Sequence, residues 1–598
     1  MNAPAKTAVL RLAEKGRFET HEVRNQARAA TGCNAFSGDA VLTAAIAREA
    51  AWAAQRCAAL GALAGDEHVQ DLARLANTHV PELKTHDRFG HRIDWVEFHP
   101  AWHELMALAY GHEVHSLAWT AQAPQPHYAR AVLSYLWNQV EHGTGCPTGM
   151  AYAAHAGFGA DPALKIWAQK VAATQYDPSR LEVARKRSVV IGYAMTEKQG
   201  GSDLRETQTT AQFSQSSSYH GARADWYCLS GHKWFCSVPV ADGFFTLAKV
   251  GAGVTCFFLP RTLPDGSHNR FYLQRLKDKC GNRSNASSEV EFAGTLALRV
   301  GEEGRGIREI LSHAHLTRLD FAVGSAGLMR QALTLALTHT TMRSSFARPL
   351  SEQPMMVNVL ADMAIEVEAA CLLALRVAKA TDHLETSPQQ RAFARIATPV
   401  AKYFNCSRAP AIAYERPQAD DIPRPPPEGV KETWGGPAFP CEALQCHGGN
   451  GFIEENPMAR VYREAPLNSV WEGTANMMCM DVRRAMRKNR ATLDAVLADC
   501  TQLKGADTGF DRFVARTQQL AELACDDEFV ARAATEALAR AVQGAELIRY
   551  STPELAEAFV ATRLAPVHGA SAAMFGTMAG TITKASADRI VERARLVA

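Results

Sequence analysis

The sequence predicts a mainly α chain with a β segment in its middle third. Three observations carry this. Apolar residues recur at helical spacing before about Arg187 and again after Gly306. Short apolar and alternating runs crowd between Ser188 and Val300. The order is helices, strands, helices, which is not the alternation of a doubly wound sheet. With 598 residues there is chain for three to four domains, at ~150 residues each. The texture divides it into a helical part (1–187), a β part (188–300), a second helical part (301–490) and a further helical block (491–598).

In chain order, Asp39–Leu63, Glu67–Asn77, Ala101–Tyr110 and His127–His142 carry helical spacing, with Gly and Pro between them. Ser188–Met195 is a short apolar run. Phe244–Val250 and Val254–Leu259 are two more, joined by Gly-Ala-Gly; Pro264-Asp265-Gly266 is a turn signal, and Ser287–Phe292 alternates. Helical pattern runs from Gly306 to about Arg490. It is broken by residues 419–440, whose Pro423, Pro425, Pro426, Pro427, Gly435 and Gly436 predict an exposed excursion. From Ala491 the chain is Ala-rich and helical.

Composition narrows the function classes. Hydrophobic content of 47% with 21% charged residues is that of an ordinary globular protein. A formal net charge of +2 gives no bulk attraction to nucleic acid, although a local patch stays open. There is no apolar run of ~18 residues, which predicts no membrane span. The first residues lack an apolar signal core, and the 14 cysteines contain no C-x-x-C pair. Reduced thiols and a cytoplasmic location are expected.

Trp471-Glu472-Gly473-Thr474-Ala475-Asn476 is the most informative segment. It sets one carboxylate among Val470, Trp471, Met477 and Met478, ahead of a helix rich in Met and Arg. Poor solvation raises a carboxyl's proton affinity toward neutrality, which suits a general base. Met195-Thr196-Glu197-Lys198-Gln199-Gly200-Gly201-Ser202-Asp203 follows the first β run and could hydrogen-bond a ring system or a phosphate; taken alone it reads more readily as a polar turn. Gly231–Ser237 puts aromatics and a hydroxyl on one strand, where an ordinary aromatic core is the simpler reading. Arg343–Leu350 carries two guanidinium groups near a loop, and Gln445–Phe452 is glycine-rich without a Rossmann spacing. His99, His103, His112 and His115 match no metal-ligand spacing, so no metal is expected.

Taken together and in this order, the Met-Thr-Glu…Gly-Ser-Asp loop, the Arg-x-x-Phe segment, the Gln-x-x-Gly-Gly-Asn-Gly-Phe loop and the Glu-Gly-Thr turn resemble the acyl-CoA dehydrogenase flavoprotein family. Lys277–Ala286, Gly231–Pro239, Asn468–Asn476 and Val96–Trp102 further resemble its AidB-like, alkylation-response branch. The resemblance implies an N-terminal helical domain, a central β-barrel, a C-terminal helical bundle, bound FAD, an acyl-CoA substrate and a homotetramer. By position it implies that Met195, Thr196, Gly201 and Ser202 line the flavin, with Phe235 and Ser237 flanking it. Arg343 and Phe346 would reach the FAD of a neighbouring subunit. Gln445 and Gly449 would lie on its adenosine–pyrophosphate side, and Thr474 and Asn476 beside the base. Glu472 matches the family's usual base, which removes the α proton while the flavin accepts the β hydride. In the isovaleryl type the base lies earlier, at the position held here by Thr317. Departures are Phe235-Cys236-Ser237 for Trp-Ile-Thr, Ala347 where a Gly is usual, and Pro354 where a Gln is usual, with Gln353 one step early.

The alkylation-response branch is associated with binding duplex DNA, a function class distinct from the dehydrogenase. Residues 491–598 hold eleven Lys/Arg against fourteen Asp/Glu, a net −3 that is the wrong sign for tracking phosphates. Just before them, Arg483, Arg484, Arg487, Lys488 and Arg490 form a basic cluster. It reads equally as a phosphate contact or as a solvated helix end complementing the dipole.

Overall fold

The computed structural model describes residues 20–158, 161–409, 439–564, 575–578 and 580–596. Its first helices are α1 (Ala40–Glu49), α2 (Ala54–Ala64) and α3 (Glu67–Thr78). A hairpin of β1 (Glu82–His86) and β2 (Arg92–Glu97) follows. Then come α4 (Pro100–Gly111), α5 (Leu117–Thr120), α6 (Pro126–Trp137), α7 (His142–Phe158) and α8 (Lys165–Val171). Asp39 and Asp66 cap α1 and α3 by accepting from backbone N–H groups of the first turn, and α4 and α6 open on proline. The hairpin interrupts the stretch expected to be helical. Its turn is built by Asp87, whose carboxylate accepts from the Phe89 and His91 amides, and by Gly90 at φ 87°.

The middle of the chain is one sheet: β3 (Ile191–Ala194), β4 (Thr210–Tyr219), β5 (Ala222–Ser237), β6 (Gly243–Val250), β7 (Gly253–Pro260), β8 (Phe271–Leu276) and β9 (Ser287–Val300). β3 runs parallel to β6; β4 with β5, β5 with β9, β9 with β7 and with β8, and β7 with β6 are antiparallel. The β4–β6 link is a single residue pair, Thr210 with Lys249. The pairing thus shows a seven-stranded sheet; the closed barrel expected from the resemblance asks for a continuous ladder at that link. Phe244, Phe245, Phe257 and Phe258 on β6 and β7 are fully buried.

The second helical part begins with α9 (Gly306–Met342), 37 residues long. A two-residue hairpin, β10 (Ser344–Ser345) and β11 (Arg348–Pro349), leads to α10 (Pro354–Thr381) and α11 (Pro388–Arg408). Residues 419–438 of the proline-rich insert lie outside the described residues; Phe439 and Pro440 open α12 (Phe439–Cys446). α13 (Pro457–Glu464) and α14 (Ala475–Lys488) complete this part. α15 (Ala491–Thr501), α16 (Thr508–Asp526), α17 (Ala531–Tyr550), α18 (Pro553–Phe559) and α19 (Lys584–Ala594) follow. α17 packs against α10, α11 and α14, so the last block shares the bundle's core. Among the described residues no helix is long and apolar enough to cross a membrane.

Candidate functional site

Glu472 sits in the turn before α14 with left-handed backbone at φ 56°, followed by Gly473 at φ 105°. That conformation is costly for a residue with a Cβ, and it is held from outside. Arg318 of α9 donates from Nε to the Glu472 carbonyl (3.1 Å), and Lys402 of α11, fully buried, donates to the Gly473 carbonyl. Arg318 and Arg395 both pair with Asp481 of α14, at 3.0 and 2.6 Å. On the apolar side Trp471 stacks on Phe321 (centroids 4.5 Å apart) and donates to Asn468. The sequence neighbours contribute unequally: Met478 is buried, but Val470 is 58% exposed. Burial of the Glu472 carboxyl raises its pKa above the ordinary carboxylate value, against the Arg318 charge, a Thr317 hydrogen bond and the Lys402 charge. Tyr193 of β3 feels the Glu472 charge and hydrogen-bonds His313 of α9 at 2.9 Å. The Thr317 hydroxyl donates to the Ala314 carbonyl one turn back at 3.1 Å.

Beside this turn lie the loop after β3 and the end of β5. The β5–β9 register breaks between Lys233 and Cys236, so Trp234 and Phe235 leave the ladder. The bulge re-aims Phe235, which is 48% exposed. Trp234 N–H donates to the Thr196 carbonyl at 2.7 Å, which brings Met195 and Thr196 alongside Phe235 and Ser237. Gly201 fits against Thr196 only without a side chain, since a Cβ there would fall 2.4 Å from Thr196 Oγ1. Ser202 is exposed, and the Ser237 hydroxyl lies 3.2 Å from that of Ser287. Thr474 and Asn476 are exposed at the start of α14.

The same loop is anchored by Glu197, fully buried. It accepts from Lys233 Nζ (2.7 Å), Thr209 Oγ1 (2.6 Å), Gln199 Nε2 (2.7 Å) and the Gln208 amide (2.6 Å). Burial alone would raise this carboxyl; the Lys233 charge and these bonds outweigh it and hold it at about 2. Burial pushes Lys233 down to about 8 against the pull of Glu197.

The remaining candidates lie elsewhere in the chain. Arg343 follows the last residue of α9, 26 residues beyond Thr317, or roughly 39 Å along the helix axis. Its guanidinium donates to the Asn25 carbonyl, while Asn25 bonds both backbone groups of Ser344. Phe346 is 94% exposed at the β10–β11 turn, where Phe346 and Ala347 have φ 53° and 58°. This backbone is why a Gly is usual at the position of Ala347. Gln445 is exposed and donates weakly to Glu442 (3.4 Å), and Gly449 is exposed. A tilted ring contact of His339 with His447 (4.7 Å) and a contact of Asn450 with Gln26 place Gln445 and Gly449 near Arg343. One chain thus gathers two groups: Met195 to Ser237 with Glu472, and Arg343, Phe346, Gln445 and Gly449 far along α9.

The basic cluster is partly engaged. Arg483 donates to the Ala524 and Asp526 carbonyls at the end of α16, and Arg490 pairs with Asp494 and Glu522. Arg484, Arg487 and Lys488 are exposed and form no ion pair among the described residues. Lys402, Tyr193 and Asn25 escaped the sequence reading. Tyr193 could have been found, since it lies on β3 two residues before Met195.

Fold and motif order define an acyl-CoA dehydrogenase-type protein, and the comparisons agree. The family profile "Acyl-CoA dehydrogenase, middle domain" matches residues 192–295, and "Acyl-CoA dehydrogenase, C-terminal domain" matches 304–418 and 441–487. "Adaptive response protein AidB N-terminal domain" matches 25–178. The chain is 38% identical to the AidB protein of Escherichia coli over 552 residues, 91% of this chain and 94% of that one. It belongs to the acyl-CoA dehydrogenase family. Among solved structures, Caenorhabditis elegans ACDH-11 in complex with C11-CoA superposes with TM-score 0.76 at 22% identity, covering 97% of this chain and 93% of that one. A Bacillus anthracis acyl-CoA dehydrogenase complexed with FAD gives TM-score 0.62 at 15% identity, covering 92% and 87%. At these identities the two structures speak for the fold alone.

Proposed function

We propose that the chain catalyses FAD-dependent α,β-dehydrogenation of an acyl-CoA thioester, with Glu472 as the base. The observation that carries this is the Glu472 carboxyl itself. It is half-buried, its pKa is raised, and its turn is fixed by cations on its backbone carbonyls rather than by a neutralising ion pair. Such a group holds a proton more readily than an exposed carboxylate, which is what a general base needs. The reaction takes a proton from Cα and a hydride equivalent from Cβ. When bound, FAD supplies the two-electron acceptor. Glu472 takes the proton, and Arg318 and Lys402 hold its turn in place.

The residues present suit that cofactor. Phe235 offers an uncovered aromatic face, Met195, Thr196, Gly201 and Ser202 form the adjoining loop, and the Ser237 hydroxyl, paired with Ser287, closes the row. Thr474 and Asn476 stand at the start of a 14-residue helix, where backbone N–H groups favour anions. The length of α9 between Thr317 and Arg343 supports a two-chain site. Arg343, Phe346, Gln445 and Gly449 of a second copy would complete it, as in a homotetramer. Anaerobic titration of the purified yellow protein with isovaleryl-, octanoyl- and lauroyl-CoA tests the reading. Bleaching of the flavin by at least one is expected; bleaching by none overturns it.

A second reading, binding of duplex DNA, is favoured by exposed Arg484, Arg487 and Lys488 on one stretch of α14. Salt-sensitive DNA binding, weakened by the double change Arg484→Glu and Arg487→Glu, is its signature. Binding that ignores both salt and these changes would rule it out.

A further inference from the structure

We propose that Asn468 is a positioning residue for the base: through Trp471 it fixes where Glu472 presents its carboxyl. This rests on the dehydrogenase reading above. Asn468 is 8% exposed and sits in the tight turn Leu467–Ser469, ahead of Trp471. Its Oδ1 accepts from Trp471 Nε1 at 3.1 Å, and its Nδ2 donates to Ser325 Oγ of α9 at 3.0 Å. The Ser325 hydroxyl donates to Cys406 Sγ of α11 at 3.3 Å, and that thiol donates to the Phe321 carbonyl at 3.4 Å. Ser325 and Cys406 are both fully buried. Burial pushes the Cys406 thiol up, so it keeps the proton that it donates.

Every donor in this row points the same way, from the indole toward Phe321, so each bond polarises the next. The row also closes on itself. It ends on the backbone of Phe321, whose ring is the surface on which Trp471 stacks. Arg318, Phe321 and Ser325 are spaced i, i+3 and i+7, one stripe of α9. That stripe meets the Glu472 carbonyl, the Trp471 ring and the Asn468 amide in turn. α9 is a fixed reference here. Asn405 of α11 ties it to α10 by donating to the Ala322 carbonyl (3.2 Å) and to the Ala370 carbonyl (2.9 Å).

Left-handed backbone at a residue with a side chain persists only where its surroundings over-determine it. On the far side of Glu472 the hold is on carbonyls, Arg318 on residue 472 and Lys402 on residue 473. On the near side it is on the Trp471 side chain, through Asn468 and Phe321. Removing the Asn468 amide frees the indole from its hydrogen bond. The backbone at Glu472 can then relax, and the Cα–Cβ bond that carries the carboxyl turns with it.

The test compares wild type with Asn468→Ala and Ser325→Ala, each loaded with FAD. It reads anaerobic bleaching by an acyl-CoA that bleaches the wild type, and calorimetric binding of the same thioester. Asn468→Ala should slow bleaching at neutral pH by about tenfold or more while thioester affinity stays within about twofold, the split expected when the base is misaimed. The acid limb of the rate should move down toward the ordinary carboxylate value of 4.5, because a carboxyl that leaves its seat gains water. Ser325→Ala cuts the row one bond further on with Asn468 and Trp471 in place, and should move rate and limb the same way by less. Wild-type rate and limb in Asn468→Ala overturn the proposal. So does a loss of rate that leaves the limb unmoved, the mark of a loosened fold. Should Asn468→Ala fail to fold, Ser325→Ala decides by the same two readings. If no acyl-CoA bleaches the wild type, the dehydrogenase reading falls and takes this one with it; a bleached wild type with an indifferent Asn468→Ala strikes this proposal alone.

Discussion

Glu197 and Glu472 are the acidic residues of two motif turns, and their surroundings push them in opposite directions. Glu197 is saturated: a buried ammonium, a hydroxyl, an amide side chain and a backbone N–H converge on it and hold it at about 2. Glu472 is half-buried, and its cations spend their hydrogen bonds on backbone carbonyls of the turn rather than on the carboxylate. A carboxylate whose lone pairs are all occupied cannot take a proton at useful pH; one that is desolvated and underbonded can. The first therefore builds a loop, and the second is available for chemistry.

The largest expected effect breaks the comparison at Glu472. Glu472→Gln should lower flavin bleaching by any acyl-CoA about 10²–10⁴-fold, with FAD retained and the unfolding temperature unmoved. Bleaching within a factor of two of wild type would remove Glu472 from the mechanism. The next breaks it at Glu197. Lys233→Met strands a buried carboxylate and should cost about 3–5 kcal/mol in urea unfolding, and adding Glu197→Met should recover most of it. A loss below about 1 kcal/mol would mean that the pair is not shielded as its burial indicates.

Acid sharpens the contrast. Glu197 lies below its ordinary 4.5, so its stabilising contribution is present above pH 4.5 and is lost as pH falls toward about 2. Glu472 lies above its ordinary 4.5, so its contribution is present below 4.5 and is lost as pH rises through its raised value. Bleaching needs the ionised base and should fall as pH drops through that same raised value. Rates flat down to pH 4.5 would contradict the shift. The smallest effect concerns backbone. Glu472 holds φ 56°, so Glu472→Gly should raise stability by up to about 1 kcal/mol while abolishing activity. Destabilisation on that change would show that the side chain's contacts outweigh the backbone cost.

The helix–strand–helix order was legible because helical spacing and alternation are local properties. The seat of Glu472 in a turn against an aromatic side chain was legible from Trp471 and Gly473, although Val470 does not help to bury it. Lys402 was not legible, because 70 residues separate it from Glu472 and nothing local marks a lysine that will be buried. The β1–β2 hairpin was missed because Lys84, His86 and Arg92 mask its alternation. The shared face of Arg483, Arg487 and Arg490 was visible as spacing. What spacing could not show is that Arg483 is consumed by carbonyls of α16, and Arg490 by acidic residues of α15 and α16.

The lone Thr210–Lys249 rung gives the sheet a preferred place to come apart. Its amides should trade hydrogen for deuterium ahead of those on the long β5–β9 ladder. Unravelling would then begin at the fringe of β4, and the strand that displays Phe235 would be among the last to let go.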